Sequence, residues 1–168
     1  MLESEHVRDW VFEYHALDAT AADLHEFAAF KAMWDEKRVD GRLPAWRDFE
    51  LQDFAPWWGW IIVEDVIRDP DFDTRYRLWG VNVATFYGVD FTGKRVTELD
   101  TPIMWPEDLA FNERLAHERL IGLCRGPMQW NERKYKDYAY MLLPLADDGE
   151  TVDRLITLIH PGERSKGW

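Results

Sequence analysis

The segment RYRLWGVNVATFYGVDFTGKRVTEL, at positions 75–99, constrains the possible folds more than any other part of this chain. It opens with the period of two that is typical of a β-strand, in which successive side chains point to opposite faces. On this pattern, one face carries Tyr76 and Leu78 and the other carries Arg75, Arg77 and Trp79. The alternation therefore predicts an apolar inner face, and an outer face of the composition found at protein interfaces.

A short helix is predicted directly after this strand. Gly80 interrupts the alternation, and Val83, Phe86 and Tyr87 then recur at the three-to-four spacing of an amphipathic helix. Gly88 stands where the end of a helix favours a residue that readily adopts a positive φ. The predicted order is thus strand, glycine, short helix and glycine, followed by an acidic turn.

This order resembles the middle of a PAS sensor domain, and more closely the PAS_5 family of single-PAS proteins of α-proteobacterial type. The resemblance covers about residues 30–159, and three motifs carry it: RYRLWG at 75–80, GVDFTGK at 88–94, and LLPLADDG at 142–149 followed by Val152-Asp153. It implies an α+β, PAS-like fold. We therefore expect a five-stranded antiparallel sheet with helices on one face and an N-terminal helical extension.

Three parts of the chain are predicted on this basis. Residues 1–40 form an N-terminal extension with a helix, residues 41–160 the PAS-like domain, and residues 161–168 a C-terminal tail. The pattern of residues 1–19 predicts no particular element. A long helix is expected from Pro106 to Gly126, and strands are expected near 128–134, 137–145 and 153–160.

The predicted N-terminal helix carries Phe27, Phe30 and Trp34 on one stripe. This stripe either packs on the domain's own sheet or serves as a dimerisation surface, as the flanking helices of many PAS domains do. The strand predicted at 57–66 is apolar on both faces, with Trp58 and Trp60 on one of them. A strand of this kind is covered on both faces, here by the domain's helices and by either the N-terminal helix or a second subunit.

Charge and hydropathy restrict the partners and the compartment. The chain has 20 basic and 32 acidic residues, a net charge of −12, which disfavours nucleic acid and anionic membranes as partners. No apolar run has the length of a membrane span, and the acidic N-terminus is unlike a signal peptide. The single cysteine excludes an intrachain disulfide. Together these features predict a cytoplasmic protein.

No group of residues in the sequence suggests catalysis or metal binding. Both serines lie in the predicted tails, and Cys124 would lie roughly 10 Å from His117 along one helix, too far for a hydrogen bond. The five histidines lack metal-ligand spacing. Glu64 and Asp65 point to opposite faces of their strand, so we interpret them as strand-end polar positions. We expect no catalytic residue and no metal.

The resemblance also disfavours the two cofactors best known in PAS domains. Haem-binding members commonly use an axial histidine in the helical half, where only His117 is eligible in this chain. Flavin photoreceptors carry a cysteine on the short helix, where this chain has the residues NVATF at 82–86. No cofactor is therefore predicted.

PAS domains hold ligands between the sheet and the helical half, and the resemblance implies a pocket there. Its predicted lining is Tyr76, Leu78, Phe86, Tyr87, Phe91, Leu120, Cys124 and Met141. The ligand would be a small apolar or aromatic molecule, and the alternative is a filled core. The predicted interaction surface is Phe27, Phe30, Trp34, Trp58, Trp60, Arg75, Arg77 and Trp79.

The function implied by the resemblance is that of a stand-alone sensory or regulatory PAS protein acting through protein–protein contact. We expect a homodimer, an unidentified signalling partner, and modulation by the pocket ligand. Two alternatives stay open: a structural adaptor with a filled core, and a small α+β enzyme. The enzyme would need clustered ionisable residues in the pocket, and none converges in the sequence.

Overall fold

The computed structural model describes residues 1–99, 106–127 and 137–162. Its strands are β1 (Glu3–Val7), β2 (Trp10–His15), β3 (Ile61–Ile67), β4 (Asp73–Trp79), β5 (Ile121–Pro127), β6 (Asp137–Leu145) and β7 (Arg154–Pro161). Its α-helices are α1 (Ala21–Leu24), α2 (Ala28–Asp35), α3 (Val81–Tyr87) and α4 (Pro106–Glu118). Four 3₁₀ turns are also described, at His25–Phe27, Trp46–Asp48, Leu51–Trp57 and Val96–Glu98.

The described strands form one antiparallel sheet with the order β1-β2-β5-β6-β7-β3-β4. The α+β class is confirmed, but the prediction of five strands is wrong, because the sheet has seven. The two additional strands, β1 and β2, form an N-terminal hairpin that pairs with β5. They arise from residues 1–19, where Trp10, Phe12 and Tyr14 alternate and are all buried.

The long helix is shorter than predicted, because α4 ends at Glu118 rather than near Gly126. Arg119 has a positive φ of 57°, which ends the helix, and Ile121 begins strand β5. Cys124 therefore lies on a strand and not on a helix. The strand predicted near 128–134 lies outside the described residues.

Gly122 allows α4 to pack closely on β5. A side chain at this position would overlap Leu115 and would come within 2.6 Å of Phe111, both on α4. The absence of a Cβ therefore brings the helix against the strand, and the ring of Phe111 also packs at 5.0 Å from Phe12 on β2. This contact fixes α4 above the sheet.

Both faces of the sheet are covered. We call the face that carries Ile62, Tyr140 and Thr157 the α4 face, since α3 and α4 pack on it. The opposite α2 face carries Val63, Met141 and Leu158 and is covered by α2 and the first three 3₁₀ turns. The two-sided apolar strand is thus buried by the chain's own N-terminal segment.

The N-terminal stripe packs inside the chain. Phe27, Phe30 and Trp34 are all 0% exposed, and the Trp34 indole donates a hydrogen bond to the Pro144 carbonyl on β6 at 3.1 Å. Phe27 also packs edge-on against His160 on β7, with ring centroids 6.1 Å apart. Of the two alternatives for this stripe, packing on the domain's own sheet is the one observed, and these side chains offer no surface to a second subunit.

A β-bulge reverses the predicted alternation in β4. Val63 pairs with Leu78, whereas the next residue of β3 pairs with Tyr76, so Arg77 is the extra residue. Beyond the bulge, Leu78 lies on the α2 face with 39% exposure, and Trp79 is 7% exposed. The predicted inner position of Leu78 and outer position of Trp79 are therefore wrong, because one inserted residue moves each following side chain to the other face.

Candidate functional site

A cavity of about 40 Å³ lies between the α4 face and helices α3 and α4, and we call it the α4-face cavity. One water needs roughly 10–15 Å³, so this volume fits a few waters or a molecule of a few heavy atoms. Its walls combine aromatic rings, carboxylates and hydroxyls with a few aliphatic groups. The aromatic and polar lining consists of Tyr76, Trp79, Tyr87, Tyr138, Tyr140, Glu64, Asp108, Asn112 and Thr157.

Glu64 is the most deeply buried carboxylate of this cavity. It is 5% exposed, directly beside the β-bulge, and accepts a hydrogen bond from the Asn112 side chain at 3.1 Å. Burial raises the pKa of Glu64 to about 7, and the nearby carboxylates of Asp108 and Asp73 also raise it. The interpretation of Glu64 as a strand-end polar position is wrong, because β3 continues to Ile67 and the Glu64 side chain is buried against Asn112 of α4.

Asp108 supplies the second carboxylate. It lies in the first turn of α4 and accepts a hydrogen bond from the Tyr140 hydroxyl at 2.7 Å. Burial raises the pKa of Tyr140 well above its usual value, and the charge of Asp108 adds to the effect. Burial likewise raises the pKa of the Cys124 thiol, which pairs with Tyr140 across β5 and β6. The buried thiol is therefore protonated and unreactive at neutral pH.

Thr157 contributes a hydroxyl that has no hydrogen-bond partner in the described part of the chain. The residue is 3% exposed on β7, it lines the α4-face cavity, and its Oγ1 makes no hydrogen bond to any described residue. Buried polar atoms normally have a partner, so an orphaned hydroxyl on a cavity wall indicates that another molecule can bond to it.

A larger groove of about 440 Å³ lies at the β4 edge of the sheet, and we call it the α2-face groove. Trp46 stacks on Phe54 at 5.6 Å to form its floor. Its apolar lining consists of Trp46, Phe49, Leu51, Phe54, Trp58, Ile61, Leu78, Trp79 and Val81. Several of these side chains are open to solvent, with exposures of 70% for Leu51, 55% for Trp58 and 68% for Val81.

The basic side chains at this groove are paired with carboxylates. Arg47, on its wall, lies 3.4 Å from Asp147 and also donates to the Asp147 carbonyl at 2.8 Å. Arg77, next to Leu78 in sequence, binds Asp65 at 2.7 Å. The wall also carries the carboxylate of Glu50, which accepts a hydrogen bond from the neutral side chain of Gln52, so the lining keeps a negative charge.

Comparison with known protein families agrees with this architecture, since residues 23–160 match the PAS_5 model of the PAS domain. The chain belongs to the PAS_5 family of PAS domains. The match confirms the family resemblance and starts within α1, so that the β1–β2 hairpin precedes it. No curated protein and no solved structure matches this chain.

Membership identifies the chain as a sensory or regulatory domain in general terms. PAS domains are typically sensory or interaction domains rather than enzymes. Within the three described ranges, no group of three or more His, Cys, Asp or Glu residues could hold a metal ion. Helices long and apolar enough to cross a membrane are also absent from those ranges.

Only some of the residues predicted to line the pocket line the α4-face cavity. Tyr76 and Tyr87 line it, while Phe86 and Phe91 are buried beside them, with ring centroids 5.3 Å from Tyr87 and 6.1 Å from Tyr76. Cys124 is buried on the same face, and Leu120 lies in the turn between α4 and β5. Leu78 and Met141 point to the α2 face. The role of these residues in binding a ligand stays a prediction.

The sequence did not predict the polar residues that line the α4-face cavity. Glu64, Asp108, Asn112, Tyr138, Tyr140 and Thr157 all line it and were not predicted to do so. The alternation of Tyr138, Tyr140 and Leu142 along β6 was a usable signal, since it places all three on one face. No local pattern indicates that Asp108 and Asn112, on a helix rich in charges, turn toward the sheet.

The residues predicted to form one interaction surface do not do so, because some are exposed and others are buried. Trp58, Arg75 and Arg77 are exposed, and Trp58 lines the α2-face groove. Trp60 is half-buried against Phe86, with ring centroids 5.8 Å apart. The other members of the set, Phe27, Phe30, Trp34 and Trp79, are buried.

Trp79 connects the two candidate sites, because it is part of the wall of both the cavity and the groove. Its ring packs 4.8 Å from Tyr76 and 5.4 Å from Tyr87, which both line the α4-face cavity. Its neighbour Leu78 lines the groove. The cavity and the groove thus lie on either side of the end of β4.

Proposed function

We propose that this PAS domain regulates a partner protein by binding a short apolar segment of that protein in the α2-face groove, under the control of the α4-face cavity. The observation that carries the proposal is that Trp79 forms part of both walls. The cavity would be the sensing site and the groove the output site.

Exposed apolar side chains are concentrated at the groove. Among the described residues, seven large hydrophobic side chains are exposed: Met1, Leu2, Val39, Leu51, Trp58, Leu78 and Val81. The last four line the groove. Single exposed hydrophobic residues are ordinary, but a contiguous set around a concave surface is typical of a binding site.

The chemistry of the groove favours a neutral, apolar segment. Its aromatic floor and exposed Trp58 match the composition of interface hot spots, which are rich in tryptophan. Arg47 is already paired with Asp147, and the carboxylate of Glu50 on the same wall disfavours an acidic segment. Two or three large side chains of a partner segment would fill about 440 Å³.

Control by the cavity follows from packing. Protein interiors are close-packed, so a molecule that binds in the cavity contacts the side chains of its wall, and a shift of one of them is transmitted to its neighbours. Trp79 is 7% exposed and held between Tyr76, Tyr87 and Phe91. Occupancy would thus shift the population of groove conformations, and the partner would bind one of them more tightly.

The test uses peptides selected from a random display library against the immobilised protein, followed by fluorescence-anisotropy titration of the selected peptides. We expect peptides with two or three large apolar residues. Trp58→Ser should weaken their binding at least tenfold, as expected for a hot-spot residue. Val39→Ser is the matched control, because Val39 is 67% exposed but lies outside the groove.

Two results would overturn the proposal. The first is equal affinity of the selected peptides for the wild type and for Trp58→Ser. The second is a stable dimer, measured by light scattering during gel filtration, that dissociates on Trp58→Ser. In that case a second copy of this chain would be the occupant of the groove.

A further inference from the structure

The Glu64 carboxylate has no basic side chain beside it among the described residues. In that part of the chain, no lysine, arginine or histidine lines the α4-face cavity. The Glu64 carboxylate is almost fully buried and receives the neutral amide of Asn112. Burial of a carboxylate is costly unless a cation or a proton accompanies it, so a positively charged molecule in this cavity would be strongly stabilised.

The aromatic walls of the cavity favour an organic ammonium ion over a metal ion. Rings follow one another around the cavity, with centroid separations of 4.8 Å for Tyr76–Trp79, 5.4 Å for Trp79–Tyr87, 6.0 Å for Tyr87–Tyr138 and 5.9 Å for Tyr138–Tyr140. The faces of such rings attract organic ammonium groups. A hydrated metal ion would gain much less from them, because it prefers oxygen ligands.

Hydrogen-bond acceptors are present for an ammonium group, which can donate three hydrogen bonds. The Thr157 hydroxyl is buried, lines the cavity and has no partner among the described residues. Together with the Glu64 carboxylate, it offers acceptors from strands β3 and β7, which are adjacent in the sheet. The orphaned hydroxyl is independent of the acidic groups and also points to a ligand.

From these observations we infer that the α4-face cavity binds a small protonated alkylamine, with its ammonium group at Glu64 and Thr157 and its alkyl part among the tyrosine rings. The volume of about 40 Å³ limits the amine to a few heavy atoms. This ligand class differs from the apolar or aromatic molecule expected from the sequence. The inference rests on the proposed function in taking the cavity as the sensing site.

The test is a thermal-denaturation series on the full chain with methylammonium, ethylammonium and propylammonium chloride. Sodium chloride at equal ionic strength and the alcohols of the same chain length are the comparison compounds. We expect the amines to raise Tm by about 5–10 °C at a hundred times Kd, which is the size expected of a ligand that binds only the folded state. The alcohols and sodium chloride should have little effect.

Variants locate the binding. Glu64→Gln keeps the shape of the side chain and should abolish the shift, whereas Glu36→Gln, at an exposed position, should retain it. Thr157→Val, which has the same shape without the hydroxyl, should weaken amine binding about threefold to tenfold, as for one lost hydrogen bond. Isothermal titration calorimetry gives the Kd values.

Three outcomes would overturn the inference. Alcohols that shift Tm as much as amines would indicate a neutral ligand. Undiminished amine binding by Glu64→Gln would place the amine elsewhere. No shift with any compound would leave water as the occupant of the cavity. Peptide binding at the α2-face groove is measured without amine. Failure of amine binding and failure of peptide binding can therefore be distinguished.

Discussion

The indole nitrogen of Trp79 donates a hydrogen bond to the backbone carbonyl of Val89 at 2.9 Å. This bond ties the last residue of β4 to the segment that follows α3. It holds the tryptophan in the common wall of the α4-face cavity and the α2-face groove. The proposed coupling between the two sites depends on this one side chain and on the bulge that turns it inward.

Trp79→Phe should therefore destabilise the protein and weaken the coupling. Phenylalanine retains an aromatic ring but leaves the half-buried Val89 carbonyl without this donor, which costs about 0.5–1.5 kcal/mol, as for a typical hydrogen bond. Urea denaturation measures the loss. Trp58→Phe is the control, because Trp58 is 55% exposed, and its free energy of unfolding should change by less than about 0.5 kcal/mol. Equal losses in the two variants would argue against a special role for Trp79.

The buried Glu64 makes stability depend on pH. Its pKa is raised from 4.5 in the unfolded chain to about 7 in the folded protein, so its stabilising contribution is complete below pH 4.5 and is lost as the pH rises through 7. Glu64→Gln removes this dependence. Its stability relative to the wild type should rise by about 2–3 kcal/mol between pH 5 and pH 8, measured by urea denaturation without added amine.

The groups that face Glu64 are Asn112 and Asp108 on α4 and Asp73, Thr74 and Tyr76 on β4. Glu36→Gln, at an exposed position, serves as the control and should follow the wild type at each pH. A constant difference between Glu64→Gln and the wild type across this range would mean that the carboxyl group does not titrate there.

Phe30 tests whether the N-terminal stripe is core or interface. The side chain is 0% exposed and packs 5.1 Å from Trp57, so Phe30→Ala should cost about 3–5 kcal/mol of unfolding free energy. Val39→Ala, at an exposed position, should cost little. If light scattering instead showed that Phe30→Ala dissociates a dimer without loss of monomer stability, the stripe would be an interface.

Gly122 tests the contact between α4 and β5. Gly122→Ala should destabilise the protein by about 1–3 kcal/mol, because its new methyl group would overlap Leu115 and Phe111. Leu115→Ala makes room for that methyl group. The double variant should therefore be less destabilised than the sum of the two single variants, by about 1 kcal/mol in a double-mutant cycle. Strict additivity would mean that the two residues are not in contact.

Local patterns predicted the part of the fold that depends on them. The period of two in residues 137–145 and 153–160, the Asp-Asp-Gly turn between them, and the short helix ending at Gly88 are all observed, with Gly88 at a φ of 78°. These features arise from propensities and turn chemistry that act over a few residues. The family match, over residues 23–160, includes all of these elements.

Features that depend on distant contacts were not predicted. The bulge at Arg77 is a property of the pairing between β3 and β4. The sequence of β4 alone does not show that it carries one residue more than the paired part of β3. The end of α4 was placed too late because Leu120 and Leu123 continue the helical spacing, whereas Gly122 contacts the helix only in the folded protein. The polar cavity combines residues from six elements, so no spacing along the chain indicates it.

The most direct test of the central claim is the affinity of a selected groove peptide, measured by fluorescence anisotropy with and without a saturating concentration of ethylammonium chloride. Linked sites typically change each other's affinity by about fivefold or more. We predict a change of at least fivefold in the peptide Kd, an equal change in the amine Kd when the peptide is saturating, and loss of both in Trp79→Phe. An unchanged peptide Kd at full amine occupancy would contradict the claim that the cavity controls the groove.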